Sequence, residues 1–86
     1  MNTSVAEAAI ETEVIRLLAG YFPAAQRTIS GSSRLVEDLN ADSVDVVEIV
    51  MIVDEAFHVE LSSSQVAGWR SVSDIVSSVA ATGGIN

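Results

Sequence analysis

Apolar side chains at Ile10, Val14, Leu17 and Tyr21 recur at spacings of four, three and four, which puts them on one side of a helix. The pattern predicts a helix over 5–19, with Ser4 and Glu7 at capping-box separation and Gly20 followed by Pro23 as its stop. Between 20 and 42 no period is sustained, and Pro23, Gly31 and the serines Ser30, Ser32 and Ser33 mark a long loop. Loops of this length in compact domains usually carry something. Leu35 and Leu39, four apart, are expected to pin its second half to the core.

The segment 43–56 reads as a second helix even though five Val and two Ile, whose branching favours strands, fall within it. Alternation fails there, because Glu48 and Asp54 break a period of two. Val46, Val50, Val53 and Phe57 instead form a narrow stripe at helical spacing, expected to be the core face. Ser62 and Gln65 have capping-box spacing for a short helix over 63–67. Ser71 precedes a last helix over 72–81, whose Val72, Ile75, Val76 and Val79 share a face and which Gly83 and Gly84 end. The expectation is a single all-α domain over 1–86, a small four-helix bundle of three main helices and one short one, with a long loop between helices 1 and 2.

Composition narrows what such a bundle can do. Apolar residues make up 49% of the 86 positions, enough for one core, and they are aliphatic, with 13 Val, 11 Ala, seven Ile and five Leu. Twelve acids against four Arg and no Lys give a net charge of −8, which repels a phosphate backbone and excludes nucleic acid binding. Without Cys there is no disulfide, thiolate metal site or thiol nucleophile, so thiol chemistry has to come from an attached group. The first basic residue is Arg16, which leaves no charged n-region for a secretory signal, and the longest apolar run, Ile49 to Val53, is too short to span a membrane. A cytoplasmic monomer is expected.

The stretch from Leu35 to Val50 contains Asp38-Leu39, then Asp42-Ser43-Val44, then Val47-Glu48-Ile49. It resembles the phosphopantetheine attachment region of acyl carrier proteins. The downstream Phe57-His58-Val59-Glu60-Leu61 and Val72-Ser73-Asp74-Ile75-Val76 also look like that family's pattern, so the resemblance covers nearly the whole chain. It implies that Ser43 receives the 4′-phosphopantetheine of coenzyme A from a transferase and that acyl intermediates travel as thioesters on this arm. It also implies no catalysis by the chain itself. Ser43 lies where a loop turns into a helix, so a phosphodiester on its oxygen would meet free backbone N–H groups and the positive end of the helix dipole. Read by itself, an Asp-Ser pair at a helix start is an N-cap.

Val44, Val47 and Met51 lie opposite the expected core stripe, interleaved with Glu48 and Glu55 and bordered by Asp42 and Asp45. A surface helix ordinarily keeps that side polar. An apolar patch rimmed by acids suits partners that present Arg and Lys around a shallow groove. The resemblance implies that these partners are the phosphopantetheinyl transferase and acyl-transferring or ketosynthase-type enzymes. Eight of the twelve acids lie between Glu37 and Glu60.

Other chemistry is weaker. His58 lies about four helical turns from Ser43, so a hydrolytic triad is not expected. Asp38, Asp42 and Asp45 lack the ligand spacing of a calcium loop, and no metal site is expected. Trp69 reads as a wall of the core, with the lining of an acyl cavity as a secondary idea. Asn40 stands where the carrier family commonly has Gly, Val44 where it has Leu, and Ser62, Ser63, Ser64 and Gln65 where housekeeping carriers tend to be acidic. These departures lean towards a specialised lipid or polyketide pathway, and the resemblance leaves fatty acid biosynthesis open beside them. The alternatives are a peptidyl or aminoacyl carrier and an acidic interaction subunit with a carrier fold and no acyl traffic. Helices that begin close to Met1 and end close to Asn86 suggest a free-standing carrier.

Overall fold

A computed structural model describes residues 5–25 and 27–83. In chain order it has α1 (Val5–Tyr21), a 3-10 turn (Pro23–Ala25), α2 (Ser43–Phe57), α3 (Ser63–Ala67) and α4 (Val72–Ala81). The fold is the all-α four-helix bundle that the periodicities predict. Ser4 and Gly84, expected at helix ends, lie outside the described residues.

Helix α1 does not stop at Gly20. Tyr21 remains helical and the Phe22 N–H still reaches the Leu18 carbonyl at 2.7 Å. Pro23, which cannot donate, converts the chain to the 3-10 turn instead. The buried row of α1 is Ile10, Val14 and Leu18, every fourth residue, while Leu17 and Tyr21 sit on its flank and are only partly covered. The same correction applies to α2, whose buried row is Ile49, Val53 and Phe57. Val46 and Val50, expected in that row, are half-buried beside it. In both helices the bundle takes a single four-spaced row, and α4 adds Val72, Ile75, Val76 and Val79, all buried.

The long first loop is folded onto the bundle. Ile29, Leu35, Leu39 and Ala41 are buried with the helical core, so Leu35 and Leu39 do pin it, together with two residues that no periodicity marked. Its backbone also caps α4. The Val72 and Ser73 N–H groups, which have no intrahelical acceptor, donate to the carbonyls of Ser33 and Gly31 at 2.9 Å each. The Leu35 N–H donates to the Arg70 carbonyl at 2.9 Å, beside an antiparallel bridge between Arg34 and Ser71. The loop returns to α2 through Asn40, whose φ of 59° lies in the left-handed region that Asn tolerates better than most residues.

Trp69 is a core wall, 9% exposed, and its Nε1–H donates to the buried Ser78 Oγ at 2.9 Å. This bond satisfies both polar atoms between α3 and α4. Trp69→Phe removes the N–H half of the indole, leaving a small cavity and stranding the Ser78 hydroxyl, and should cost about 2–4 kcal/mol in urea unfolding. Adding Ser78→Ala should cost less than the sum of the two single changes, since no buried polar atom is then left unpaired.

Candidate functional site: the first turn of α2 and the groove beside it

Helix α2 begins with a closed pair of carboxylates. Asp42 is the N-cap, in extended conformation, and its Oδ1 accepts the Asp45 N–H at 2.9 Å. The Asp45 Oδ2 accepts the Asp42 N–H in return at 3.0 Å. This is a capping box built from two Asp residues. It straddles Ser43, the first helical residue, whose side chain is exposed. The N–H groups of Ser43 and Val44 have no acceptor within the helix, which leaves two donors and the positive end of a 15-residue helix beside the Ser43 hydroxyl.

Asp45 has a second partner. The Tyr21 hydroxyl, at the end of α1, donates to Asp45 Oδ1 at 2.9 Å. The Asp42 N–H holds the Asp45 carboxyl below the usual carboxylate range, and the Tyr21 hydroxyl adds to the effect. The Tyr21 phenol is pushed up, first by this hydrogen bond, then by desolvation and by the negative charges of Asp45, Glu48 and Asp42. Asp45 is thus half-buried against α1, whereas its neighbours Asp42 and Val44 face outward.

With 3.6 residues per turn, Ser43, Val46, Val47 and Val50 share one flank of α2. That flank forms a wall of an open cavity of about 480 Å³ between α2 and α3, lined by Val46, Val47, Val50, Met51, Leu61, Ser63, Val66 and Ala67. Seven of these eight side chains are apolar. The opposite wall is held by local polar bonds. The Asp54 Oδ1 accepts the Leu61 N–H at 3.3 Å, and Ser62 and Gln65 cap α3 through Ser62 N–H to Gln65 Oε1 at 3.0 Å and Gln65 N–H to Ser62 Oγ at 3.1 Å. The sequence pattern did not mark this groove, because half-buried valines and core valines have the same spacing.

The outward face of α2 carries Val44, Val47 and Met51 at 67%, 57% and 58% exposure, interleaved with the exposed Glu48 and Glu55. The loop between α1 and α2 leaves Val47 uncovered. His58 is exposed just beyond the end of α2, as its C-cap in left-handed conformation with φ 55°, so the helix separates it from Ser43. Trp69 lines a separate depression with Arg34, Val36, Glu37 and Arg70 and is not among the residues that line the groove between α2 and α3. Among the described residues no cluster of three or more His, Asp or Glu side chains is placed to hold a metal ion, and no helix is long and apolar enough to cross a membrane.

A family model described as "Phosphopantetheine attachment site" matches residues 12–79, which take in the whole of α2 and α3. The chain belongs to the phosphopantetheine-attachment family of acyl carrier proteins. It is 36% identical over 66 residues to the acyl carrier protein of Buchnera aphidicola subsp. Baizongia pistaciae, covering 77% of this chain and 85% of that one. With the acyl carrier protein of Syntrophobacter fumaroxidans it is 37% identical over 68 residues, 79% of this chain and 84% of the relative. The crystal structure of an acyl carrier protein from Thermotoga maritima superposes with a TM-score of 0.76 over 94% of both chains, at 17% identity, and so shares the fold. Acyl carrier proteins of this family catalyse nothing themselves and hold 4′-phosphopantetheine covalently. Their role entails contact with transferases and synthetic enzymes.

Three aspartates of this acyl carrier protein have folded values below the ordinary one: Asp45, Asp38, which accepts from the Arg34 N–H, and Asp74, which accepts from the Arg70 and Ser71 N–H groups. Each therefore contributes stability that is fully present above the unfolded carboxylate pKa, about 3.9, and is lost as pH falls through the lower folded value. The thermal midpoint should fall modestly below about pH 4, since none of these carboxylates is buried and solvent screens them. Asp74→Asn should lower the midpoint at pH 7 and make the acid limb shallower, as read by circular dichroism across a pH series.

Proposed function

We propose that Ser43 is the residue that receives the arm and that the chain carries acyl groups whose distal part is apolar. The observation that carries this reading is the juxtaposition on one flank of α2. An exposed hydroxyl at the first helical position stands one turn from the mouth of an apolar groove of about 480 Å³. An arm needs an accessible oxygen, a place for its phosphate and room for its cargo. The Ser43 hydroxyl, the Ser43 and Val44 N–H groups and the valine-lined groove suit those needs in turn. The arm would supply the thiol that this chain, without Cys, lacks.

The outer face of α2 supports docking of the enzymes that load and unload the arm. Val44, Val47 and Met51 would provide the desolvated contact, and Glu48 and Glu55 would orient a basic partner, with Asp42 and Asp45 bordering the face at the attachment turn. The partners fitting this surface are a phosphopantetheinyl transferase and acyl-transferring or ketosynthase-type enzymes with Arg and Lys around a shallow apolar site. Lipid and polyketide synthesis both supply such cargo, in the cytoplasm.

The test is incubation with coenzyme A, Mg²⁺ and a broad-specificity transferase, followed by intact mass. One arm should be added to the wild type and none to Ser43→Ala, with the helical circular dichroism of the variant unchanged. In the same assay Glu48→Lys should raise the apparent KM for the carrier about tenfold, because it sets a cation against the cations of the transferase. Modification persisting in Ser43→Ala, or a wild type that no such transferase modifies, would remove the attachment reading.

A further inference from the structure

The bond from Tyr21 to Asp45 joins the end of α1 to the first turn of α2 across 24 residues of chain. Among the described residues, Tyr21 is the side-chain donor from another element that reaches this turn. The hydroxyl is carried on a restrained ring. Tyr21 lies edge-on to Phe22, with ring centroids 4.8 Å apart and planes at 83°, and Phe22 packs against the core. Asp45 passes the restraint on, because its other oxygen holds the N–H of Asp42, and Asp42 in turn holds the N–H of Asp45. Ser43 lies between the two acids. The first N–H groups of a helix have no intrahelical acceptors, so its N-terminal turn depends on contacts from outside, and no Arg or Lys lies among residues 35–69 to supply one here.

The choice of donor matters chemically. An Arg in place of Tyr21 would tie down the same carboxylate but would cancel the charge that a basic enzyme meets at this turn. A phenol donates a hydrogen bond and leaves the charge in place.

From this we infer that Tyr21 is a positioning residue for arm attachment: acting through Asp45, it fixes the first turn of α2 so that the Ser43 hydroxyl is presented to the transferase in one orientation. The inference rests on Ser43 being the attachment residue. It assigns Asp45 to holding the turn in addition to bordering the docking face. Loss of the hydroxyl should therefore reduce the rate of the chemical step more than the encounter, because the outer face of Val44, Val47, Glu48 and Met51 is untouched.

The experiment measures transfer of the arm from coenzyme A to the full chain for wild type, Tyr21→Phe, Asp45→Ala and the double variant, at a temperature where circular dichroism shows all four folded. Tyr21→Phe should lower kcat about fivefold with KM within about twofold of wild type. In the Asp45→Ala background the same change should have no further effect. Ser43→Ala is run alongside; if that variant is still modified, the attachment reading has failed and the role of Tyr21 falls with it. With Ser43 upheld, wild-type kcat in Tyr21→Phe, an effect confined to KM, or an equal loss of kcat in the Asp45→Ala background would each overturn the inference. A role in stability alone would lower the thermal midpoint and leave kcat of the folded protein unchanged.

Discussion

Helix α2 has more apolar side chains than this bundle can bury, and most of the surface chemistry follows from where the surplus goes. One row, Ile49, Val53 and Phe57, packs into the core. The described residues form no second layer to cover the rest. Val46 and Val50 therefore end half-covered, facing a helix α3 of only five residues, and the space between them stays open. Val44, Val47 and Met51 remain on the surface. A longer α3 would close the groove, and a polar outer face would make α2 an ordinary surface helix. The same shortage of cover thus leaves both an open apolar groove and an exposed apolar face.

Acidity complements this arrangement. The carboxylates around α2 are not neutralised by basic side chains; the ion pairs formed among the described residues, Glu13 with Arg16 and Arg34 with Asp38, lie elsewhere and are local. Backbone and phenolic donors stabilise the acids instead, at Asp42 and Asp45 by a capping box and Tyr21, and at Asp54 by the Leu61 N–H. Such donors stabilise a carboxylate without removing its charge. The helix can then be ordered in the free protein and remain strongly negative toward an incoming enzyme.

The fold class was legible because amphipathic spacing and cap residues act locally: Ser62 with Gln65 and Asp42 with Asp45 cap helices through contacts three residues apart. The extent of α1 was less legible, since Gly20 permits a stop without requiring one and the 3-10 turn at Pro23 makes the actual bend. Which valines of α2 are core depends on the row that α1, α4 and the loop can reach together, and that is a property of the assembled bundle. Tyr21 shows the limit most clearly. Its spacing fits a core stripe, but its hydroxyl is used 24 residues away, and no periodicity carries that information. The caps on α4 were equally hidden, because the carbonyls of Gly31 and Ser33 belong to a loop without a repeat.

The central claim, that an arm on Ser43 delivers its cargo to the groove between α2 and α3, can be tested by methyl-resolved NMR of the protein loaded from octanoyl coenzyme A. Compared with the protein bearing the bare arm, the octanoyl form should show shifted methyl signals at Val46, Val50, Leu61 and Val66, with through-space contacts from the chain to those residues. Shifts confined to Val36 and the Trp69 ring, on the other side of the loop, or no contact between the octanoyl chain and the groove, would contradict it.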